Sequence, residues 1–253
     1  MEKFTSDRWI LDPVKGYKIE LAETLKQVMK PREIRFNKHE GRVIDLEFSK
    51  PLKNQVIVET SHSPGEYLST VFVHPKKDGS FGMILNLKKL NEWVEYHHFK
   101  MDTFQTVLKV IRPMCYMASV DLRHAYYTVP IANEFQHLLR FEWKGKLFQY
   151  ICLPDGLASA PRVFTKLLKP VYATLRQMGH ISVAYIDDSY LQAATARACE
   201  QNVHDTVSLF TRLGFTVHPD KSVLKPTQEL VFLEFVLNSR TMTFSLTREN
   251  KIV

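Results

Sequence analysis

Apolar and polar positions alternate on both sides of one acidic pair, in Ile181-Ser182-Val183-Ala184-Tyr185-Ile186-Asp187-Asp188-Ser189-Tyr190-Leu191. A period of two around a tight turn predicts a β-hairpin with Asp187 and Asp188 at its tip. Before it, Val163, Phe164, Leu167, Leu168, Val171, Tyr172 and Leu175 fall on one helical face. They predict a helix over Ala160–Met178, capped by Ser159, with Pro161 in its first turn and Gly179 at its end. After the hairpin, Val203, Val207, Phe210 and Leu213 predict a second amphipathic helix closing at Gly214. Strands are expected at Phe215–His218, Glu229–Leu237 and Met242–Leu246. Upstream, Cys115–Val120 is a buried-looking strand that ends on Asp121. A further hairpin joins Leu138–Trp143 to Leu147–Cys152 through Lys144-Gly145-Lys146, and Asp102 is placed to cap a helix over Thr103–Val110. Tyr67–His74 and Phe81–Leu87 pair across Pro75–Ser80, where Asp78-Gly79 signals the turn, and Lys88–Asn91 forms one helical turn. The first 60 residues carry the weakest pattern: a helix over Ile19–Met29 stopped by Pro31, then short strands near Val43–Phe48 and Val56–Val58.

From Cys115 onward the order is strand, inserted hairpin, helix, two strands, helix, strand. Without the insertion this is βαββαβ, the split ferredoxin-like arrangement, which sets the first strand beside the central hairpin. Asp121 then falls next to Asp187 and Asp188. An isolated Asp-Asp at a hairpin tip is usually a solvated turn. Three converging carboxylates instead repel one another unless a cation neutralises them, and hard oxygen donors suit Mg²⁺.

The composition changes this picture little. The 253 residues are 45% hydrophobic and 24% charged, as in an ordinary globular chain. The net charge of +7 and the pI near 9.2 favour an anionic partner, although basic proteins without one are common. Cys115, Cys152 and Cys199 lack C-x-x-C spacing, which argues against a zinc site or a disulfide framework. The ten histidines, including His97-His98, show no metal-ligand spacing and read as structural or surface residues. No signal peptide or membrane-spanning run is visible, so an intracellular location, cytoplasmic or nuclear, is expected.

Read in order, the motifs resemble a retrotransposon reverse transcriptase over about Tyr67–Leu237, closest in wording to the DIRS-like group that uses a tyrosine recombinase. They are Lys76-Lys77-Asp78-Gly79-Ser80-Phe81, Leu87–Asn91, Val120-Asp121-Leu122 with Ala125-Tyr126, Leu153-Pro154-Asp155-Gly156-Leu157, Tyr185-Ile186-Asp187-Asp188, His218-Pro219-Asp220-Lys221-Ser222 and Phe232-Leu233-Glu234-Phe235. The resemblance implies an α+β right-hand polymerase fold of fingers plus palm, the palm a ferredoxin-like sheet with helices on one face. Residues 1–60 would lead into fingers at 61–95 and 129–158. The palm would take 96–128 and 159–239, and 240–253 would begin a thumb or connection lying beyond the chain. It further implies that Asp121, Asp187 and Asp188 hold two Mg²⁺ ions, with Mn²⁺ as a substitute. Lys76, Lys77, Tyr126 and Asp155 would meet a dNTP, Lys221 would protonate the departing pyrophosphate, and Phe232, Leu233 and Glu234 would grip the primer of an RNA or DNA template. The resemblance leaves the oligomeric state open.

Four positions depart from the family's wording. Gly82 stands where an Arg contacts the triphosphate, a loss of roughly 1.5–3 kcal/mol for one charge-assisted bond. His124 replaces an Asp, Asp155 an amide, and Glu234 a Gly. Together they support a rival reading, a catalytically impaired remnant that at most binds nucleic acid.

Overall fold

The chain is described here by a computed structural model that defines residues 1, 5–27, 30–31, 36–75 and 81–247. Its elements are α1 (Arg8–Gly16), α2 (Lys38–Lys53), β1 (Ile57–Thr60), β2 (Leu68–Pro75), β3 (Phe81–Asn86), α3 (Lys88–Asn91), α4 (Phe104–Val110) and β4 (Tyr116–Arg123). A 3-10 turn at Ala125–Thr128 leads to α5 (Asn133–Gln136), β5 (Arg140–Trp143), β6 (Lys146–Tyr150), α6 (Ala160–Gln177), β7 (Ile181–Tyr185) and β8 (Asp188–Ala193). The chain continues with α7 (Ala196–Arg212), β9 (Thr216–Val217), β10 (Val223–Thr227), β11 (Glu229–Phe232), β12 (Phe235–Asn238) and β13 (Thr243–Leu246). Two compact units emerge, one from the described residues of Met1–Ser6, Phe99–Ala125 and Phe164–Val253, the other from Asp7–His98 and Tyr126–Val163.

The second unit is built on a sheet of order β1-β6-β5-β2-β3. Its pairs are antiparallel apart from β2 against β5, where Leu68 faces Arg140 in parallel register. Helix α2 lies on this sheet, with Ile44 and Phe48 buried and Phe48 edge-on to Phe148 at 4.6 Å. This corrects the strand expected over Val43–Phe48. Ile44, Leu46 and Phe48 alternate, but Leu46 is 68% exposed, and the buried pair is spaced i, i+4 as in a helix. What decides the matter is a capping box. Asn37 Oδ1 accepts from the Glu40 N–H, and Glu40 Oε2 accepts from the Asn37 N–H, both at 2.9 Å. The helix expected over Ile19–Met29 is also corrected, since residues 19–27 are not helical. Ala22 N–H donates to Trp93 O and Glu95 N–H to Glu20 O around an isolated Leu21–Val94 bridge, so the segment gains partners from the chain after α3 instead of from itself. The Lys76–Ser80 turn lies outside the described residues.

The first unit carries a sheet of order β10-β4-β8-β7, with β9 also pairing with β4. This is the ferredoxin-like order expected of βαββαβ. Side chains alternate across it. Ser189 faces α6, where its hydroxyl meets Tyr172 Oη at 2.6 Å, while Asn202 of α7 donates to Gln192 O and Ile181 O. The opposite face packs Met117, Val183 and Tyr190 against Val107 and Ile111 of α4 and against Leu230, Phe232 and Leu237 of a separate three-stranded sheet. Helices therefore cover one face and part of the other. Thr103, not Asp102, is the N-cap of α4, and Asp102 Oδ2 instead accepts from the Ala184 N–H. Among the described residues no helix is long and apolar enough to cross a membrane.

The single strand expected over Glu229–Leu237 is instead a hairpin. Phe232 pairs with Phe235, and Leu233 and Glu234 form a two-residue turn with φ of +48° and +68°. Both values lie in the left-handed region, where a residue with a Cβ is disfavoured and Gly is at ease. The turn therefore explains a Gly preference at position 234. Glu234→Gly is expected to stabilise the chain by about 0.5–1 kcal/mol, because relief of the left-handed conformation exceeds the extra freedom of the unfolded glycine. Thermal unfolding followed by circular dichroism reads this directly, and a lower Tm for the variant would contradict it.

Candidate active site

The acidic centre lies where β4 meets the β7–β8 hairpin. Asp121 is in direct register with Asp188, and Leu122 N–H donates to Asp187 O at 3.0 Å. The hairpin closes from Tyr185 to Asp188 through Ile186 and Asp187. Ile186 has φ of +54°, a costly setting for a β-branched residue, which marks the turn as held by its surroundings. Asp121, Ser119 and Met117 share a face by alternation, and so do Asp188 and Tyr190 across from them. The core on that face ends at Met117 and Tyr190, and the two acids lie further along the same strands.

Burial raises the Asp188 carboxyl to about 7, Asp187 and then Asp121 push it the same way, and Lys221 pulls it down. All four predicted charges are thus brought within one another's field. Lys221 is exposed, in the turn between β9 and β10. On the outer edge of β4, Asp121 O accepts from the His218 N–H at 2.8 Å, and the Asp121 N–H donates to Ser222 Oγ at 3.0 Å. Ser222 joins residues 101 positions apart in the chain. Nothing in the spacing of motifs marks it.

The other predicted residues are placed differently. Phe232 is 4% exposed and packs against Tyr190, so its side chain serves the core and only Leu233 and Glu234 stand at the hairpin tip. Phe235 stacks on Phe104 at 3.8 Å between ring centroids. Tyr126, in the 3-10 turn, and Asp155, after Pro154, belong to the other unit. There Asp155 Oδ2 accepts from Tyr127 Oη at 3.1 Å, and burial, with Tyr150 and Asp155 nearby, pushes the Tyr127 phenol far above its usual range. An amide at position 155 would take this bond without the charge. Asn91 holds the same loop at two points, donating to Gly156 O and accepting from the Ala158 N–H, each at 2.8 Å. The sequence carries no signal for these bonds of Tyr127 and Asn91, because their partners are distant in the chain. Gly82 is buried in β3 opposite His74, and His124 is exposed with φ of +52°. Lys76 and Lys77 lie outside the described residues.

Two carboxylates facing each other across β4 and β8 and a third in the adjoining turn, with the Asp188 carboxyl raised by burial and then by the other two, make a donor set that suits a hard divalent cation. A second acidic group, Glu20, Glu95 and His97, has ligand atoms all within 4.8 Å of one another. Its Glu20 carboxylate already has a cation, Arg162, whose Nη1 lies 3.3 Å away, and His97 contacts the same carboxylate.

Comparison with known proteins bears on the whole chain. The Gag-Pol polyprotein of avian reticuloendotheliosis virus is 27% identical over 229 residues, 83% of this chain and 19% of its own length. The transposon Tf2-3 polyprotein of Schizosaccharomyces pombe is 22% identical over 232 residues, 91% of this chain and 17% of its own. The chain thus spans about a fifth of the length of these curated relatives. Among solved structures, the foamy viral protease-reverse transcriptase dRH in complex with double-stranded DNA superposes with a TM-score of 0.78 at 22% identity, covering 93% of this chain and 40% of that one. The same enzyme with an RNA/DNA hybrid gives a TM-score of 0.74 at 22% identity, over 91% of this chain and 30% of that one. The fold is therefore the right-hand polymerase arrangement of fingers and palm. The profile described as reverse transcriptase (RNA-dependent DNA polymerase) matches residues 74–237, a span that contains Asp121, Asp187, Asp188 and Lys221. With well over half its length so matched, the chain belongs to the reverse transcriptase family.

Proposed function

We propose that this chain catalyses template-directed DNA synthesis for a retroelement, joining a dNTP to a primer 3′-hydroxyl by in-line phosphoryl transfer. The observation that carries this reading is the register of Asp121 with Asp188 beside Asp187 and Lys221. Asp121, Asp187 and Asp188 would hold two divalent cations, Mg²⁺ or Mn²⁺. When bound, these supply charge neutralisation at the triphosphate and a more acidic primer hydroxyl. The protein's own part is positioning. β4 and β8 fix two carboxylates across one register pair, and the strained turn at Ile186 fixes the third. Lys221 stands by as a proton donor to the departing pyrophosphate. Asp155 and Tyr126, with Lys76 and Lys77, would meet the nucleotide, and the Leu233-Glu234 tip would meet the primer. The wording of the motif series over about Tyr67–Leu237 supports placement with the DIRS-like elements inside the family.

The test is primer extension on poly(rA)·oligo(dT) with Mg²⁺ or Mn²⁺, beside an Asp187→Asn, Asp188→Asn control. Extension that the double variant abolishes is the expected result. A folded chain that binds the primer–template and does not extend it would establish the impaired remnant instead.

A further inference from the structure

Asp121 sits at a break in pairing on the outer edge of β4. Leu122 and Arg123 face Val217 and Thr216 of β9, while Ser119 faces Val223 of β10. Between these, residues 218–222 leave the sheet as a turn closed by Ser222 N–H to His218 O at 3.1 Å. Adjacent N–H groups on a strand point to opposite edges. That of Leu122 goes to Asp187 on the hairpin side, and that of Asp121 goes outward, to a side-chain hydroxyl, Ser222 Oγ, at 3.0 Å. The same turn carries Lys221, one residue before Ser222.

We propose that Ser222 is a positioning residue, whose hydroxyl clamps the Asp121 main chain and ties the turn bearing Lys221 to the acidic centre. The proposal rests on the reading of Asp121 as a metal ligand. Without the hydroxyl, the Asp121 N–H loses its Ser222 acceptor, and the Lys221 turn is held to β4 only at its two ends, by the His218 N–H to Asp121 O and by the Val223 N–H to Ser119 Oγ at 3.3 Å. Both groups then move relative to the hairpin, and small misplacements of reacting groups are costly in rate.

The experiment compares the unaltered chain with Ser222→Ala, Ser222→Thr and Asp121→Asn in primer extension. It measures kcat, the KM for dTTP, the Mg²⁺ concentration giving half-maximal rate, and the Tm in EDTA. Ser222→Ala should lower kcat about 10- to 100-fold, the equivalent of one lost hydrogen bond expressed as misalignment, and should raise the Mg²⁺ requirement. Ser222→Thr, which keeps the hydroxyl, should restore both. An Ala variant with unchanged kcat and Mg²⁺ dependence would overturn the proposal. So would an Ala variant whose activity falls only in step with its Tm while the Mg²⁺ requirement stays put. Asp121→Asn separates the premises: if that variant still extends primers, the reading of the metal centre fails whatever Ser222 does.

Discussion

Asp188→Asn should end primer extension and, in the same protein, raise the thermal stability of the metal-free chain at neutral pH. Both effects come from one arrangement. Burial and the neighbouring Asp187 and Asp121 raise the Asp188 carboxyl from 3.8 to about 7. A carboxyl held above its unfolded value binds its proton more tightly when folded. No penalty exists below pH 3.8, where both states are protonated. It grows as pH rises from there to about 7 and is full above that. With solvent screening allowed for, the penalty is about 1–3 kcal/mol, and the neutral amide removes it. In EDTA the variant should therefore melt above the unaltered chain at pH 7.5, and the two should converge near pH 4. Added Mg²⁺ should reverse the order, because a cation bound only by the folded acidic centre stabilises that state. On the proposed role of Asp188 as a metal ligand, its loss removes several kcal/mol of charge stabilisation, a drop on the order of a thousandfold or more in rate. A variant that melts below the unaltered chain in EDTA at pH 7.5 would show that the carboxylates do not repel one another.

The second large effect is expected at Arg140. Its side chain is 8% exposed and donates to Glu66 at 2.8 Å, to Ser63 Oγ at 2.7 Å and to Gln149 Oε1 at 3.0 Å. Glu66 precedes β2 and Arg140 opens β5, so this network closes the parallel seam of the sheet. Arg140→Ala leaves a largely buried carboxylate without its cation, at a cost of about 3–5 kcal/mol. For a chain of this size that is a fall in Tm of about 6–20 °C. The double change Arg140→Met, Glu66→Leu should recover most of it, since an apolar pair carries no desolvation penalty. The same network sets an acid limit. Burial alone would raise the Glu66 carboxyl, but His62, Arg140 and the Ser63 N–H outweigh it and hold it below the usual 4.5. Its contribution is present above that value and is lost as pH falls through the lowered one, so the unaltered chain should lose stability below pH 4.5 faster than the double variant. A single variant whose Tm matches the unaltered chain would show that the seam is held by packing alone.

The acidic centre was legible because its parts are local. A period-two pattern places Asp187 and Asp188 at a hairpin tip, and a topology rule alone brings Asp121 beside them. Helices α6 and α7 were legible for the same reason, having strong stripes between capping and glycine signals. Other features were readable in principle and were misread. Asn37-x-x-Glu40 is a capping-box signal for α2, whereas the alternation of Ile44, Leu46 and Phe48 suggests a strand, although alternating side chains over so few residues fit strand and helix alike. Leu233-Glu234 lacks the Asn-Gly wording of a tight turn, so one long strand was expected where the chain reverses. The bonding roles of Ser222, Asn91 and Tyr127 could not have been found from pattern, although Ser222 and Asn91 stand inside motifs. Each works through one or two hydrogen bonds to residues far away in the chain, and such bonds leave no periodicity behind.

The pairing of β4 with β8 bears on how the chain tolerates insertions and deletions. Asp121 faces Asp188, Val120 faces Ser189, and Ser189 is tied to Tyr172 beneath the sheet. One residue inserted between Asp188 and Ser189 would turn Asp188 over to the helix face, away from Asp121. Two would restore the face and shift the acid along by a pair, out of reach of its partner. The loops of this molecule can vary in length, but the hairpin can be spelled in many ways only at constant length.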